Sequence, residues 1–336
     1  MNDLKLGILD QSVVRTNSTA AAAIQETIET AILAENLGYQ RFWISEHHNS
    51  TFIAGSAPEV LMARLGAETS QIRLGSGGIM LPNHSAFKVA ENFRMLEALY
   101  PGRIDLGIGR APGGDGISAN LLNPSNTFQE ESYIQQLQHL NHFFKDNAQV
   151  NNSPIYAIPQ VKTSPQQWIL SSSGGSAKIA ADLGLNLAVA KFINGSISPN
   201  IVASYRKHFR PTEDRQEPKA LISSFVICGE TEEEANQMRK YIDYILLQFD
   251  KGNYQNLPEF EDVRNHQFTS FEKQRLHYNA GRLISGTPDR VKEKIINLAK
   301  DFDVDEVIIS TMSFNKELRL RSFELVAEAF SLNRTS

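Results

Sequence analysis

The sequence predicts a single α/β domain over residues 1–336, a (β/α)8 TIM barrel with insertions. Short apolar runs alternate with helical patterns from end to end, which is typical of strand–helix units around a parallel sheet. Eight apolar runs of this kind occur, and eight strands close such a barrel. The chain has 336 residues, 41% of them hydrophobic, which is enough for one core of barrel size.

Each predicted strand is a short apolar run, followed by a helical pattern or by a loop. The eight runs lie at residues 4–9, 42–45, 72–80, 104–108, 168–171, 187–190, 221–228 and 306–310. The first helix is predicted over 20–37, because apolar residues recur there at helical spacing and Gly38 provides a stop. Further helical patterns lie at 58–69, 87–99, 129–144, 177–183, 291–302 and 323–330.

Three segments interrupt this alternation, at about 113–127, 147–166 and 250–285. The last combines Gly, Asn and Pro with several aromatic residues, namely Tyr254, Phe260, Phe268, Phe271 and Tyr278. The aromatic content argues against disorder, and a long late interruption in a barrel is typical of a lid or a binding loop.

Composition excludes several classes of protein. The net charge of -5, with no long run of either sign, does not support binding to nucleic acid. The single cysteine, Cys228, excludes an internal disulfide and a thiolate metal cluster and is consistent with a reducing compartment. Because there is neither a membrane-length apolar run nor a signal-peptide pattern, we expect a cytoplasmic protein.

Polar and glycine-rich residues lie at the ends of four of the predicted strands and within the third. They are Asp10-Gln11, Glu46-His47-His48, Gly75–Gly78, Arg110 and Ser171–Ser176. Catalytic groups of such barrels lie at the carboxyl ends of the strands, so these segments predict one site on one rim.

The end of the second strand favours acid/base chemistry, because histidine titrates near neutral pH. Adjacent histidines on a strand point to opposite faces, and no His-x3-His or Cys pair accompanies His47 and His48, so no metal site is expected. One of the two histidines could instead make only a supporting hydrogen bond.

The segment Ser171–Ser176 leads into a predicted helix, where hydroxyls and backbone N–H groups suit an anion such as a phosphate. The alternative is simple helix capping, although a cap needs one hydroxyl and this segment has four. Arg110 could complete a phosphate clamp or form an ion pair at the rim. Gly75–Gly78 indicates either close approach of the backbone to a flat ligand or a tight corner of the barrel.

Around these residues the sequence resembles the bacterial luciferase-like flavin monooxygenases over nearly its whole length. Four segments stand in family order: FWISEHH at 42–48, IRLGSGGIMLPNH at 72–84, PGRIDLGIGR at 101–110 and ISGTPDRV at 284–291. A serine-rich loop after the fifth strand lies between the last two.

The resemblance implies a barrel that binds reduced FMN, with His47 in the position of the family's catalytic histidine. The isoalloxazine would lie against the third strand at Ser76, Gly77 and Gly78, where the family's non-proline cis peptide would fall at Gly77-Gly78. The phosphate would be held by Arg110 and the loop residues Ser172, Ser173, Gly174, Gly175 and Ser176.

The activity implied is a monooxygenase reaction in which reduced FMN and O2, through a flavin C4a-hydroperoxide, oxidise a small organic substrate such as an aldehyde or ketone. A separate NAD(P)H-dependent flavin reductase would supply the reduced FMN, and most relatives are homodimers. Light emission is not expected. Ser172 stands where the light-emitting luciferase subunit has glutamate, and Gly109 and 111–114 depart from its pattern around the arginine.

Two alternatives stay open. One is an oxidoreductase that transfers hydride with the deazaflavin F420, whose longer charged tail would require additional basic residues near the fifth strand. Lys178 is the nearby candidate for that role. The other is a non-catalytic flavin-binding protein, against which His47 argues because a carrier needs no acid/base group.

Overall fold

A computed structural model describes residues 4–125, 128–253 and 256–332. Tyr254 of the predicted aromatic segment and the last two residues of the 113–127 insertion lie outside these ranges.

Eight parallel strands form a closed barrel, so the predicted fold class is confirmed. The strands are β1 Lys5–Asp10, β2 Arg41–Ile44, β3 Arg73–Met80, β4 Ile104–Gly109, β5 Gln166–Ser171, β6 Asn186–Ala190, β7 Ala220–Cys228 and β8 Glu306–Ser310. Neighbouring strands pair in chain order, and β8 closes the barrel by pairing with β1 at Leu6 and Val307. An additional parallel strand, Leu283–Gly286, pairs with β7, and a short antiparallel hairpin joins Gln149–Val150 to Ser153–Pro154.

Helices surround this barrel and also form the longer connections. They are α1 Ala20–Leu37, α2 Pro58–Glu68, α3 Ala86–Leu99, α4 Gly116–Leu122, α5 Glu130–Phe144, α6 Gly174–Asp182, α7 Asn200–His208, α8 Glu232–Asp250, α9 Phe260–Asn265, α10 Ser270–Asn279, α11 Pro288–Asp301 and α12 Lys316–Phe330. Short 3-10 turns cover Leu81–Asn83 and Ala280–Arg282.

The bounds of α1 follow from its capping residues. The side chain of Thr19 accepts a hydrogen bond from the backbone N–H of Ala22, and Gly38 ends the helix with a left-handed φ of 86°. The start of α6 differs from the prediction: it begins at Gly174, so the loop glycines form its first turn.

The predicted interruption at 250–285 contains α9, α10 and most of the additional strand. Apolar residues of this segment, including Leu257 and Val263, join Met238 and Ile242 of α8 in a second hydrophobic cluster beside the main core. Burial of apolar area therefore stabilises α9 and the chain that precedes it against α8.

A network of charged side chains fills the barrel near the amino ends of the strands. Arg41 forms ion pairs with Asp105 and Glu306, and Trp43 Nε1 donates to Asp105 Oδ2 at 2.9 Å. The rings of Trp43 and Trp168 make an edge-to-face contact with centroids 5.8 Å apart. These side chains therefore fill the interior of the barrel near the amino ends of its strands.

Candidate active site

A cavity of about 450 Å³ opens at the carboxyl ends of the strands, within the usual range for small-molecule sites. Its wall is largely apolar, with polar groups at the rim. The lining residues are Leu9, Gln11, Trp43, Ser45, Glu46, His47, Gly77, Met80, Gly109, Arg110, Ala111, Pro112, Gly113, Phe128, Leu170, Ser171, Ser172, Ser173, Ser176, Ala188, Ala190, Phe192, Ile193, Ser223 and Ile308.

The cavity brings together most of the predicted site residues, namely His47, Gly77, Arg110, Ser172, Ser173 and Ser176. The other predicted residues are not among its lining residues in the described part of the chain. Ser76 is buried between strands, and its hydroxyl donates to the carbonyl of Gly107 at 2.9 Å. Gly174 and Gly175 lie in the first turn of α6, behind the serine loop.

The glycines of β3 have two distinct surroundings. The peptide bond between Gly77 and Gly78 is cis, as the resemblance implies. A Cβ atom on Gly78 would lie 2.6 Å from the carbonyl oxygen of Gly107, and the β3–β4 register shifts between Ser76 and Ile79. Gly78 is therefore required by packing against β4, whereas Gly77 presents its backbone to the cavity.

The loop after β5 is held mainly through its backbone carbonyls. Ser171 Oγ donates to the carbonyl of Ser173, and Asn194 Nδ2 donates to that of Ser172 at 3.0 Å. Ser173 is the N-cap residue of α6, but its side chain makes no capping hydrogen bond. Its hydroxyl and the first N–H groups of the helix can therefore serve a ligand.

Arg110 both lines the cavity and forms an ion pair at the rim, where its Nη1 donates to Glu130 Oε2 at 2.7 Å. The position of Arg110 is thus compatible with both roles considered from the sequence, a phosphate clamp and an ion pair at the rim.

Glu46 is wholly buried at the end of β2 and accepts three hydrogen bonds. Oε1 accepts from His48 Nε2 at 2.8 Å and from His84 Nε2 at 2.9 Å, and Oε2 accepts from the backbone N–H of Met80 at 2.9 Å. Burial raises the pKa of Glu46. The hydrogen bonds, chiefly that from His84, lower it by a larger amount, so the pKa lies below its ordinary value. The carboxylate therefore stays ionised and ties β2 to β3 and the following turn.

His84 belongs to this cluster, although it is not among the site residues predicted from the sequence. Burial lowers the pKa of His84, but its hydrogen bond to Glu46 raises it more, and the net shift is upward. The feature of the sequence that could have pointed to His84 is its place at the end of the segment IRLGSGGIMLPNH. His48 makes the supporting hydrogen bond expected for one of the two adjacent histidines.

His47 lies on the cavity wall, and its backbone N–H donates to the carbonyl of Gly55 at 2.9 Å. Burial lowers the pKa of His47, and the opposing effects of the Gly113 carbonyl and of Glu46 are smaller. At neutral pH the imidazole is therefore mainly neutral and can accept a proton.

Residues 4–123 and 136–305 match the family model described as luciferase-like monooxygenase. The chain belongs to the luciferase-like monooxygenase family. It is 42% identical to the uncharacterized protein YwcH of Bacillus subtilis over 98% of this chain and 99% of YwcH. It is 34% identical to the N-acetyl-S-alkylcysteine monooxygenase of Bacillus subtilis over 97% of this chain and 98% of that enzyme.

Among solved structures, this luciferase-like chain is similar to apo-MsnO8, with a TM-score of 0.92, 35% identity, and coverage of 99% of this chain and 100% of that chain. Two more distant structures show the same fold. The oxygenating constituent of 3,6-diketocamphane monooxygenase of Pseudomonas putida, in complex with FMN, has a TM-score of 0.71 at 16% identity and 97% coverage of both chains. An F420-dependent secondary alcohol dehydrogenase has a TM-score of 0.70 at 11% identity, covering 98% and 99% of the two chains.

Ser45 is a further polar residue of this luciferase-like site and is not among the site residues predicted from the sequence. Its Oγ is buried at the cavity wall and has no hydrogen-bond partner among the described residues. A buried hydroxyl without a partner is expected to bind a ligand or water. Its position directly before Glu46 was the only sequence signal.

Asp10, predicted at the rim, lies outside the cavity lining. It pairs with Arg319 of α12 and accepts hydrogen bonds from Ser12 N at 2.6 Å and Thr27 Oγ1 at 3.0 Å. Its role is therefore structural, whereas its neighbour Gln11 does line the cavity.

Within residues 4–125, 128–253 and 256–332, no group of three or more His, Cys, Asp or Glu side chains is arranged to hold a metal ion. None of the helices in these ranges has the length and apolar character needed to cross a bilayer.

Proposed function

We propose that this chain is the oxygenase of a two-component system, which uses reduced FMN and O2 to oxidise a small, uncharged organic substrate. The observation that carries the proposal is a single cavity that joins an anion-binding rim, a glycine backbone surface and a neutral histidine. The family is one of flavin-dependent monooxygenases, and this arrangement matches what such a cofactor requires.

The rim suits the phosphate of FMN. Arg110 supplies a guanidinium that can bind two phosphate oxygens, and the start of α6 supplies N–H groups and the helix dipole. A side chain on Gly174 would meet no atom within 4 Å, so the space beyond the helix end is open. Ser172, Ser173 and Ser176 line the cavity beside this space.

The wall beneath the rim suits a flat aromatic ring. Gly77 offers backbone without a side chain, and a Cβ atom there would lie 2.7 Å from Leu9 Cδ1, so the position has no room for a larger residue. Trp43, Leu170 and Ile308 supply apolar surface around it.

Reduced FMN, when bound, would supply the electrons and the reaction with O2. The contribution of the chain is then to bind, to orient and to exclude water. The apolar wall keeps water from the reacting atoms, and His47 accepts and returns a proton at its imidazole. Glu46, held by His48 and His84, fixes the strand end from which His47 projects.

The walls also limit the substrate. Phe128, Phe192 and Ile193 add apolar surface, and among the described lining residues only Glu46 and Arg110 carry a full charge at neutral pH. Both are already engaged in hydrogen bonds or ion pairs. An aldehyde, a ketone or a thioether fits such a wall, and the thioether is suggested by the name of the N-acetyl-S-alkylcysteine monooxygenase.

FMN is favoured over F420 by the position of Lys178. This side chain is 77% exposed and pairs with Asp182 at 2.6 Å, and it lines a separate groove rather than the active-site cavity. Lys178 is therefore not placed to bind the longer charged tail of F420 from within the cavity.

A separate NAD(P)H-dependent reductase and a homodimer complete the proposal. Exposed apolar residues lie on two neighbouring helices, with Val60 of α2 70% exposed and Met95 and Leu99 of α3 51% and 53% exposed. A symmetric contact between two copies would cover them. Sedimentation velocity with a Met95→Glu variant tests this, and an unchanged monomeric state in both proteins would contradict it.

The function itself is tested by anaerobic titration with reduced FMN, followed by mixing with ¹⁸O2 and one of three uncharged probes: decanal, cyclohexanone or the methyl ester of N-acetyl-S-methylcysteine. We expect saturable binding, delayed appearance of oxidised FMN, and one labelled oxygen atom in the product of at least one probe. Absence of binding would refute the flavin site. Oxidised FMN and hydrogen peroxide that appear as fast as in free solution would refute the monooxygenase.

A further inference from the structure

Glu130 places a carboxylate inside the proposed phosphate site. It is the first residue of α5, and its side chain is half exposed. Its Oε2 accepts a hydrogen bond from Arg110 Nη1 at 2.7 Å. The guanidinium proposed to bind the phosphate is thus already bound to an anion of the chain itself.

The same oxygen also lies beside the second group of the phosphate site, the start of α6. A Cβ atom built on Gly175 would lie 3.9 Å from Glu130 Oε2, and no other described heavy atom from outside this part of the helix would come within 4 Å. One carboxylate oxygen therefore lies close to both the guanidinium and the first turn of the helix. A phosphate oxygen bound by both groups would compete with it for this space.

A carboxylate and a phosphate interact favourably with the same groups, because both are anions that accept hydrogen bonds. They repel each other and cannot occupy one position, so one must leave before the other can bind. Glu130 is free to move away, since its side chain is half exposed and contacts the site only through its end.

We infer that Glu130 is a built-in competitor for the phosphate of FMN: it occupies Arg110 and the start of α6 in the free protein and is displaced when FMN binds. This inference rests on the proposed function and adds a regulatory element to that site. Because Glu130 must be displaced, the apparent affinity for FMN is the intrinsic affinity multiplied by the fraction of molecules in which the site is free. A flavin that must arrive reduced and leave oxidised benefits from such an exchangeable site.

The decisive variant is Glu130→Gln, which keeps the size of the side chain but removes its charge. We expect FMN to bind about fivefold more tightly, the scale set by the loss of one exposed ion pair. Riboflavin lacks the phosphate, so its affinity should not change. Glu131→Gln is the matched control, because Glu131 is the next residue in the same helical turn, is exposed, and changes the net charge equally.

The experiment is anaerobic titration of the wild-type protein and both variants with reduced FMN and with reduced riboflavin, followed by quenching of the protein's tryptophan fluorescence. An unchanged FMN affinity in Glu130→Gln, or an equal gain in Glu131→Gln, would overturn the inference and leave the proposed flavin site intact. If the wild type binds FMN no more tightly than riboflavin, the phosphate has no site. The inference and the proposed phosphate rim then both fail, whereas the proposed binding of the flavin ring stands. If no protein binds either flavin, the proposed function fails with it.

Discussion

Replacing Glu46 by Gln should destabilise the protein, because three donors converge on this buried carboxylate. Each hydrogen bond to a charged group contributes about 1.5–3 kcal/mol, and a neutral amide retains about 1 kcal/mol of each. One donor also loses its acceptor, since the amide nitrogen of Gln cannot accept a hydrogen bond. A neutral amide costs less to bury than a carboxylate, which offsets part of this loss, so we expect the free energy of unfolding to fall by about 2–4 kcal/mol near pH 6.

The effect should depend on pH in a defined direction. The lowered pKa of Glu46 contributes stability above its ordinary value of 4.5, and this contribution is lost as the pH falls through the folded-state pKa. The raised pKa of His84 contributes stability that is complete below its ordinary value of 6.5 and is lost as the pH rises through the folded-state pKa. The difference between wild type and variant is therefore largest between these two ordinary values and shrinks at higher pH.

Urea denaturation followed by circular dichroism at several pH values measures this difference. Glu213→Gln is the control, because Glu213 is exposed. A Glu46→Gln variant as stable as the control, or a difference that grows steadily above pH 7, would show that the three hydrogen bonds do not hold this strand end.

Three further predictions concern single residues. His47→Ala should bind reduced FMN as the wild type does but lose about 10²–10⁴-fold in product formation, and unchanged turnover would remove His47 as the acid/base group. Arg110→Ala should weaken FMN binding about tenfold or more while leaving riboflavin binding unchanged, and equal loss for both flavins in fluorescence titration would contradict the phosphate role. Gly78→Ala should lower the free energy of unfolding by about 1–3 kcal/mol in urea, because its Cβ atom would meet the Gly107 carbonyl. Gly174→Ala, with open space around its Cβ atom, should not be destabilised, and similar losses in both alanine variants would refute the packing argument.

The strands were predictable because buried parallel strands appear as short apolar runs bounded by polar or glycine residues. The bounds of the helices were harder to predict. The first turn of α6 begins with glycines, whose low helix propensity does not indicate a helix. No helix was predicted over Glu232–Asp250, although Thr231 caps it and three glutamates follow. The helices α9 and α10 within the interruption at 250–285 were also not predicted. Apolar residues of this segment pack against α8, and such contacts between distant residues cannot be read from a local pattern.

The residues of the site also divide into those that local pattern predicts and those that depend on tertiary contacts. His47, Arg110 and the serine loop were predictable, since each follows a strand and belongs to a family motif. Ser45 and His84 were not, because their importance depends on a cavity wall and on a buried carboxylate.

The order of the strands, the rim on which the polar residues gather, and the likeness to the luciferase-like monooxygenases can all be read from the amino-acid pattern. Which polar residues face the cavity depends on the folded structure. Asp10 forms an ion pair with Arg319, near the other end of the chain, and does not line the cavity. Glu130, at the start of α5, forms an ion pair with Arg110, which follows β4. The physical reason is that strand and helix patterns are local, whereas contacts between charged groups depend on how distant elements pack around the barrel.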